Sequence, residues 1–192
     1  MVNVKKFLLF TCFALVLSAA APVSASVSEG GDPWMRPQVG VWFGPVTPLF
    51  NLWDDLNTFL GGGAYVRLPL FDRGMLGFDT SYEYLPSNSL DRLQLIPMYG
   101  NFIFRLPINS PIIFQVKAGA GASWVSAQPM DRSQYDPLFM AGFELAFPAG
   151  NFANIGMRFD YLYLYESYHK GAKRDGQVLL SGLTLYFNLD IF

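Results

Sequence analysis

Cysteine and histidine are almost missing from this chain, which has Cys12 and His169 and no other residue of either type. One thiol excludes an internal disulfide and any Cys-built metal or redox site, and one imidazole leaves too few ligands for a histidine-based zinc site. No metal and no cofactor are therefore expected. An excess of positive charge is missing too. A net charge of -2 offers no basic field to nucleic acid, so nucleic acid is not an expected partner. Long apolar runs are also scarce. Although 52% of the residues are hydrophobic and mean hydropathy is +0.25, nothing beyond the N-terminus reaches the roughly 18 uncharged apolar residues of a membrane helix. Apolar content this high, never gathered into a helix-length run, must be dispersed, and the form of its dispersal is alternation.

The one N-terminal exception reads as a targeting signal over residues 1–25. Lys5 and Lys6 give the positive start, residues 7–21 the apolar stretch, and Val23, Ser24 and Ala25 the small residues before a cut. Cys12 lies inside it. A lipidation reading of that cysteine is disfavoured, because Phe10 and Thr11 precede it poorly and a cut there would halve the apolar stretch. Residues 26–36 form a polar lead-in punctuated by Gly and Pro, and residues 37–192 form one domain.

The clearest segment is 155–165. Ile155, Met157, Phe159, Tyr161, Tyr163 and Tyr165 occupy one parity; Gly156, Arg158 and Asp160 occupy the other. Period two means a strand. An apolar face that climbs from aliphatic residues to three tyrosines suits a strand crossing hydrocarbon and ending in an interfacial aromatic girdle. The segment around 76–84 repeats this, with Tyr82 and Tyr84 at its far end and Asp79 and Glu83 on the other parity. Further alternating segments are predicted at 37–44, 59–70, 93–106, 112–125, 139–147 and from 178 to at least 187. Pro45 and Pro48 are read as ending the first, Pro97 as a bulge or weakly paired site in the fourth, and residues around Trp53 to Leu56 as a helical turn. The polar stretch 126–137 is read as a loop. Long connections follow odd strands and short ones follow even strands, the rhythm of an up-and-down membrane barrel. The expected fold is all-β, an eight-stranded antiparallel up-and-down transmembrane β-barrel in the bacterial outer membrane, following a cleaved signal.

Several motifs then carry a resemblance. Pro97 and Asn101 followed by F-I-F-R, the A-G-A-G-A-S of 118–123, Gly142 and Glu144 with the D-Y-L-Y of 160–163, and the G-L-T-L-Y-F of 182–187 resemble the small eight-stranded outer-membrane barrel domains of opacity-type, OmpA/OmpX-like and OmpW-like porin-like proteins. The motifs cover about the last half of the chain, and the strand rhythm covers all of the mature part. The resemblance implies outer-membrane lipids and the barrel-assembly machinery as partners. It also implies an assembly signal in the last strand at Gly182, Leu185 and Phe187, although the family commonly stops on that aromatic and this chain continues through Asp190 to Phe192.

Assigning the polar parity to the lumen places Arg67, Arg105, Lys117 and Arg158 inside with Asp79, Glu83, Glu144 and Asp160. Hairpin registers about Asn151 and Arg73 set Glu144 opposite Arg158 and Arg67 opposite Asp79. An eight-stranded barrel is about wide enough to be filled by its own side chains, so the first reading is a structural ion-pair plug. The other is a narrow polar path. Tyr82, Tyr84, Tyr161, Tyr163 and Tyr165 are the expected aromatic girdle. Glu166, Ser167 and His169 are the residues to inspect for lipid-modifying catalysis, but they sit in one hydrophilic loop without a deacylase-like motif, so no catalytic residue is assigned. Gly61 to Gly63 lacks the G-K-[ST] of a phosphate loop and reads as relief of crowding on a strand. Asp54, Asp55, Asp131 and Asp136 read as solvated loop carboxylates. Phe50 and Trp53 keep open a role in binding or passing small apolar molecules; the leading expectation is a non-enzymatic barrel with a structural or surface-interaction role.

Overall fold

Alternation at period two gives a strand two different faces, and in the computed structural model it resolves into eight strands. The structure describes residues 36–50, 56–87, 92–108, 110–128, 132–149, 152–165 and 175–189. The expected signal at 1–25, most of the lead-in and the stretch from Asp190 to Phe192 lie outside them. The strands are β1 Gln38–Pro48, β2 Phe59–Phe71, β3 Gly74–Pro86, β4 Arg92–Arg105, β5 Ile113–Gln128, β6 Arg132–Ala149, β7 Ala153–Leu164 and β8 Gly176–Asn188. Each pairs antiparallel with the next, and β1 pairs with β8 to close the barrel. Closure leaves no unpaired sheet edge. The start of β1, the ends of β2, β4, β6 and β8 and the starts of β3, β5 and β7 lie together at one end, the turn end; the opposite ends of the strands lie at the other, the loop end.

The two faces are inverted relative to a water-soluble barrel. Val41, Phe43, Leu76, Phe139, Phe143, Phe147, Ile155 and Leu183 point outward and are between 46% and 65% exposed. Arg67, Glu83, Glu144, Arg158 and Asp160 point inward and have no exposed surface. The parity of each strand decides this, since a one-residue slip would carry every charge to the outside.

Four local expectations are corrected. Pro45 does not end β1, which runs to Pro48: pairing to β2 continues through Pro45 and Leu60, while the ladder to β8 is interrupted between the Phe43–Leu183 and Val46–Leu180 pairs, where the missing N–H falls. The stretch 126–137 is not a loop. β5 and β6 extend through it as a paired hairpin from Ala122 opposite Pro137 to Ala127 opposite Arg132. At 16 and 18 residues they exceed the roughly ten that cross an apolar layer, and a strand beyond that layer needs no apolar outer face. Polar residues therefore hid it, and the connection after β5 is short. Arg67 lies opposite Gly77, not Asp79, for two reasons that each move the register by one residue: the turn centres between Asp72 and Arg73 and not on Arg73, and the ladder between β2 and β3 shifts between Pro69 and Phe71. Trp53 lies outside the described residues, whereas Leu56 forms a β-bridge with Ser87, not a helical turn. Around Pro97 the β3–β4 register is continuous, but the pairs between Thr80–Met98 and Glu83–Leu95 are missing, a weakly paired site without a bulge.

Candidate functional site

The inward parity of five strands brings the charges into one belt near mid-height of the lumen. Arg67 on β2 donates to Glu144 on β6 through both terminal nitrogens, at 3.1 Å and 2.6 Å, the bidentate geometry in which a guanidinium pairs best with a carboxylate. Its Nη1 also reaches Gln115 on β5 at 3.3 Å. The guanidinium lies 4.2 Å from the Tyr65 ring centroid and 5.2 Å from that of Tyr186, close enough for cation–π attraction. Glu144 lies 3.6 Å from Lys117 Nζ, and Lys117 lies 2.7 Å from Asp160 Oδ1 on β7. Asp160 accepts from Nε of Arg158 at 2.8 Å and from its Nη2. Arg158 Nη2 in turn donates to Asp79 on β3 at 2.9 Å and to Tyr99 Oη on β4 at 3.2 Å, and Asn101 Nδ2 donates to the other Asp79 oxygen at 2.5 Å.

The chain of contacts Arg67–Glu144–Lys117–Asp160–Arg158–Asp79–Asn101 thus runs through β2, β6, β5, β7, β3 and β4. The two remaining strands join through neutral groups. Trp42 on β1 has its ring 5.2 Å from the Arg158 guanidinium, and Thr184 on β8 hydrogen-bonds Tyr65 Oη at 2.5 Å.

The belt is closed above and below. At the loop end Val46, Leu85, Leu95, Leu138, Leu162, Leu164, Val178 and Leu180 are buried together in the lumen, with Leu56, Leu93 and Val125 against them. At the turn end Met75 and Ile103 are fully buried. This aliphatic cap was not foreseen from sequence. Its signal was present in Leu162 and Leu164, which share the parity of Arg158 and Asp160, so that β7 is apolar on both faces at its loop end.

Two expected lumen charges stand apart from the belt. Arg105 is half-buried at the end of β4, where its backbone N–H donates to the Arg73 carbonyl. Glu83 is fully buried but belongs to no ion pair among the described residues; its hydrogen-bond partner is Ser81. The expected Glu144–Arg158 juxtaposition is present in the backbone register, yet the strong contacts of the two side chains go to Arg67 on one hand and to Asp79 and Asp160 on the other.

Solved structures similar to this chain include two small barrels. Neisserial surface protein A aligns with a TM-score of 0.63 at 9% identity, over 80% of this chain and 97% of that one. The N-terminal β-barrel domain of Pseudomonas aeruginosa OprF aligns with a TM-score of 0.55 at 14% identity, over 81% and 98%. No family model and no curated protein matches the sequence. The fold is that of the small eight-stranded outer-membrane barrels.

In such a barrel the five tyrosines named from sequence all sit at the loop end. Tyr82, Tyr84, Tyr161 and Tyr163 occupy outward positions of β3 and β7, and Tyr165 follows β7 directly. Tyr161 donates to Gln177 at 2.5 Å and Tyr163 to Asp175 at 2.6 Å, tying the β7 tyrosines to the start of β8. In β8, Leu185 and Phe187 face outward and Gly182 faces in. Gly182 has a packing role of its own: a Cβ there would stand 2.9 Å from the carbonyl carbon of Phe43 and 3.1 Å from Gly44 Cα, at the seam that closes the barrel. Glu166, Ser167 and His169 lie outside the described residues, as do Asp54, Asp55 and Asp131. Asp136 is buried, with both oxygens hydrogen-bonded by Gln134. Among the described residues no group of three or more His, Cys, Asp or Glu side chains is placed to hold a metal ion.

Proposed function

We propose that this chain is a non-enzymatic integral protein of the bacterial outer membrane, a barrel plugged by its own side chains whose loops face partners at the cell surface. The inversion of its faces carries this reading. A continuous belt of half-exposed Phe, Leu, Val and Ile around a closed barrel is incompatible with water at this extent, and it suits hydrocarbon bounded by tyrosines. The outer-membrane lipids are then its surroundings, the barrel-assembly machinery inserts it, and Gly182, Leu185 and Phe187 are the residues that machinery reads. The belt serves as a cross-brace, since its Arg and Lys side chains all have carboxylate partners and an aliphatic cap stands between them and the loop end. Cell fractionation tests the location: the mature protein is expected in the outer-membrane fraction, migrating heat-modifiably on gels, and a freely soluble protein would overturn it. Planar-bilayer recording tests the plug. A folded and electrically silent barrel is expected, and discrete conductance steps would replace the plug with a path.

A second reading, binding or passage of small apolar molecules, draws support from one observation, the aliphatic lining of the lumen at its loop end. Uptake of an apolar fluorophore into vesicles that hold the purified barrel would favour it, and uptake equal to that of protein-free vesicles would dismiss it.

A further inference from the structure

The charges of the belt cancel, and one fully buried carboxyl stands outside that balance. In the belt Arg67, Lys117 and Arg158 are matched by Glu144, Asp160 and Asp79, and all six are engaged with one another. Glu83 is one carboxyl too many. It has no exposed surface; Oε1 accepts a single hydrogen bond from Ser81 Oγ at 2.9 Å, and Oε2 has no hydrogen-bond partner among the described residues.

Among the described residues no cation forms an ion pair with it. On β2 it stands opposite Gly61, whose absent side chain leaves the space taken by Glu83 and by Val46 of β1, and on β4 it stands opposite Leu95 of the aliphatic cap. The charged or titratable groups that face it are Asp79 on its own strand, Tyr99 on β4, and Arg158 and Asp160 on β7. Arg158 is already engaged by two carboxylates, and the other three are acidic. A metal cation fits poorly, because one carboxyl and one hydroxyl fall far short of the six to eight oxygens that hard cations gather. An ionised carboxylate without a partner in such a place costs far more than a neutral carboxylic acid, and buried groups in this position neutralise.

We propose that Glu83 is a proton-binding site of the folded barrel, holding the carboxyl as the neutral acid at the boundary between the charge belt and the aliphatic cap. The folded barrel then binds one proton that the unfolded chain releases once the pH is above the ordinary carboxyl range. A state that binds more protons is favoured by acid, so the barrel loses stability as pH rises. Ionisation would place a charge directly beneath the cap, and the proton is thereby a latch on that end of the lumen. The site depends on the closed barrel and the lumen's charge count, whatever the cellular role.

The test is urea unfolding of the refolded mature barrel in detergent micelles, wild type beside Glu83→Gln, from about pH 6 to about pH 9. The amide keeps the shape and cannot ionise. The folding constant of the wild type relative to the variant is expected to fall as pH rises, by up to about tenfold per pH unit. A ratio independent of pH would overturn the proposal, and so would a wild type whose stability at high pH is restored by sodium or potassium at constant ionic strength, which would mean a cation in place of the proton. Should Glu83→Gln not fold, infrared spectra of the wild-type barrel with carboxyl-labelled glutamate decide the matter at neutral pH: a protonated carboxyl band supports the site, and its absence refutes it.

Discussion

Replacing Arg158 with methionine is the perturbation that the belt makes most informative. The guanidinium has no exposed surface and engages Asp79, Asp160 and the Tyr99 hydroxyl. Methionine fills similar volume without the charge, so the change leaves two buried carboxylates short of a cation. Asp160 keeps Lys117, whereas Asp79 is left with the Asn101 amide. Breaking a buried pair from one side costs about 3–5 kcal/mol because the remaining charge is uncompensated, a substantial share of the roughly 5–15 kcal/mol that holds a typical domain together. Most of that cost is charge left behind, so Arg158→Met combined with Asp79→Asn should be more stable than Arg158→Met alone, by about 1–3 kcal/mol, the coupling scale for residues in one network. Urea unfolding of the refolded barrel in detergent, followed by tryptophan fluorescence and by the heat-modifiable band on gels, measures the wild type and both variants. If Asp79→Asn makes the Arg158 variant worse, or if Arg158→Met costs less than about 1 kcal/mol, a figure typical of exposed pairs, the belt is not the brace described above.

Two further measurements follow from the geometry. A Cβ at Gly63 would stand 2.7 Å from both Trp42 Nε1 and Ser81 Cβ, whereas one at Gly100, on the outward face, meets nothing closer than the Gly77 carbonyl oxygen at 3.9 Å; Gly63→Ala should therefore cost about 1–3 kcal/mol by overpacking and Gly100→Ala fall within about 0.5 kcal/mol of neutral, the contrast being read from urea midpoints. Tyr163→Phe removes the 2.6 Å bond to Asp175 and should lower the urea midpoint only slightly, with faster proteolysis at the β7–β8 connection as its local signature.

Parity made the barrel legible. Where a strand has charges on one face and large apolar residues on the other, as at Arg67 beside Val66 or Asp160 beside Phe159, alternation alone fixes which way each side chain points, and eight such segments determine a closed sheet. Three things escaped it. The β5–β6 extension carries Ser126, Ser133 and Gln134 where membrane strands carry aromatics, so hydropathy marked as loop what ladder hydrogen bonds hold as strand. The aliphatic cap escaped because Leu85, Leu162 and Leu180 lie on the inward parity, where polarity was the expectation. Ion-pair partners were the third gap. Hairpin register relates only neighbouring strands, and a two-residue error at the β2–β3 turn was enough to misplace Arg67.

The partners obey a different rule, visible once the sheet is closed. In an eight-stranded ring, strands four apart face each other across the lumen, and Arg67–Glu144 joins β2 to β6 while Arg158–Asp79 joins β3 to β7. A lumen of this width lets one long guanidinium side chain meet a carboxylate from the far wall. Within the belt, the other two diameters carry no such pair among the described residues. β4 opposes β8 with Tyr99 and Asn101 against Thr184 and Tyr186, and β1 opposes β5 with Trp42 where a partner for Lys117 would stand. Lacking an acid across the lumen, Lys117 turns along the wall to Glu144 on β6 and Asp160 on β7. That sideways reach merges two separate cross-lumen pairs into one network. It also explains why three cations suffice for three acids, and why Glu83, set nearer the loop end where the walls turn aliphatic, has none.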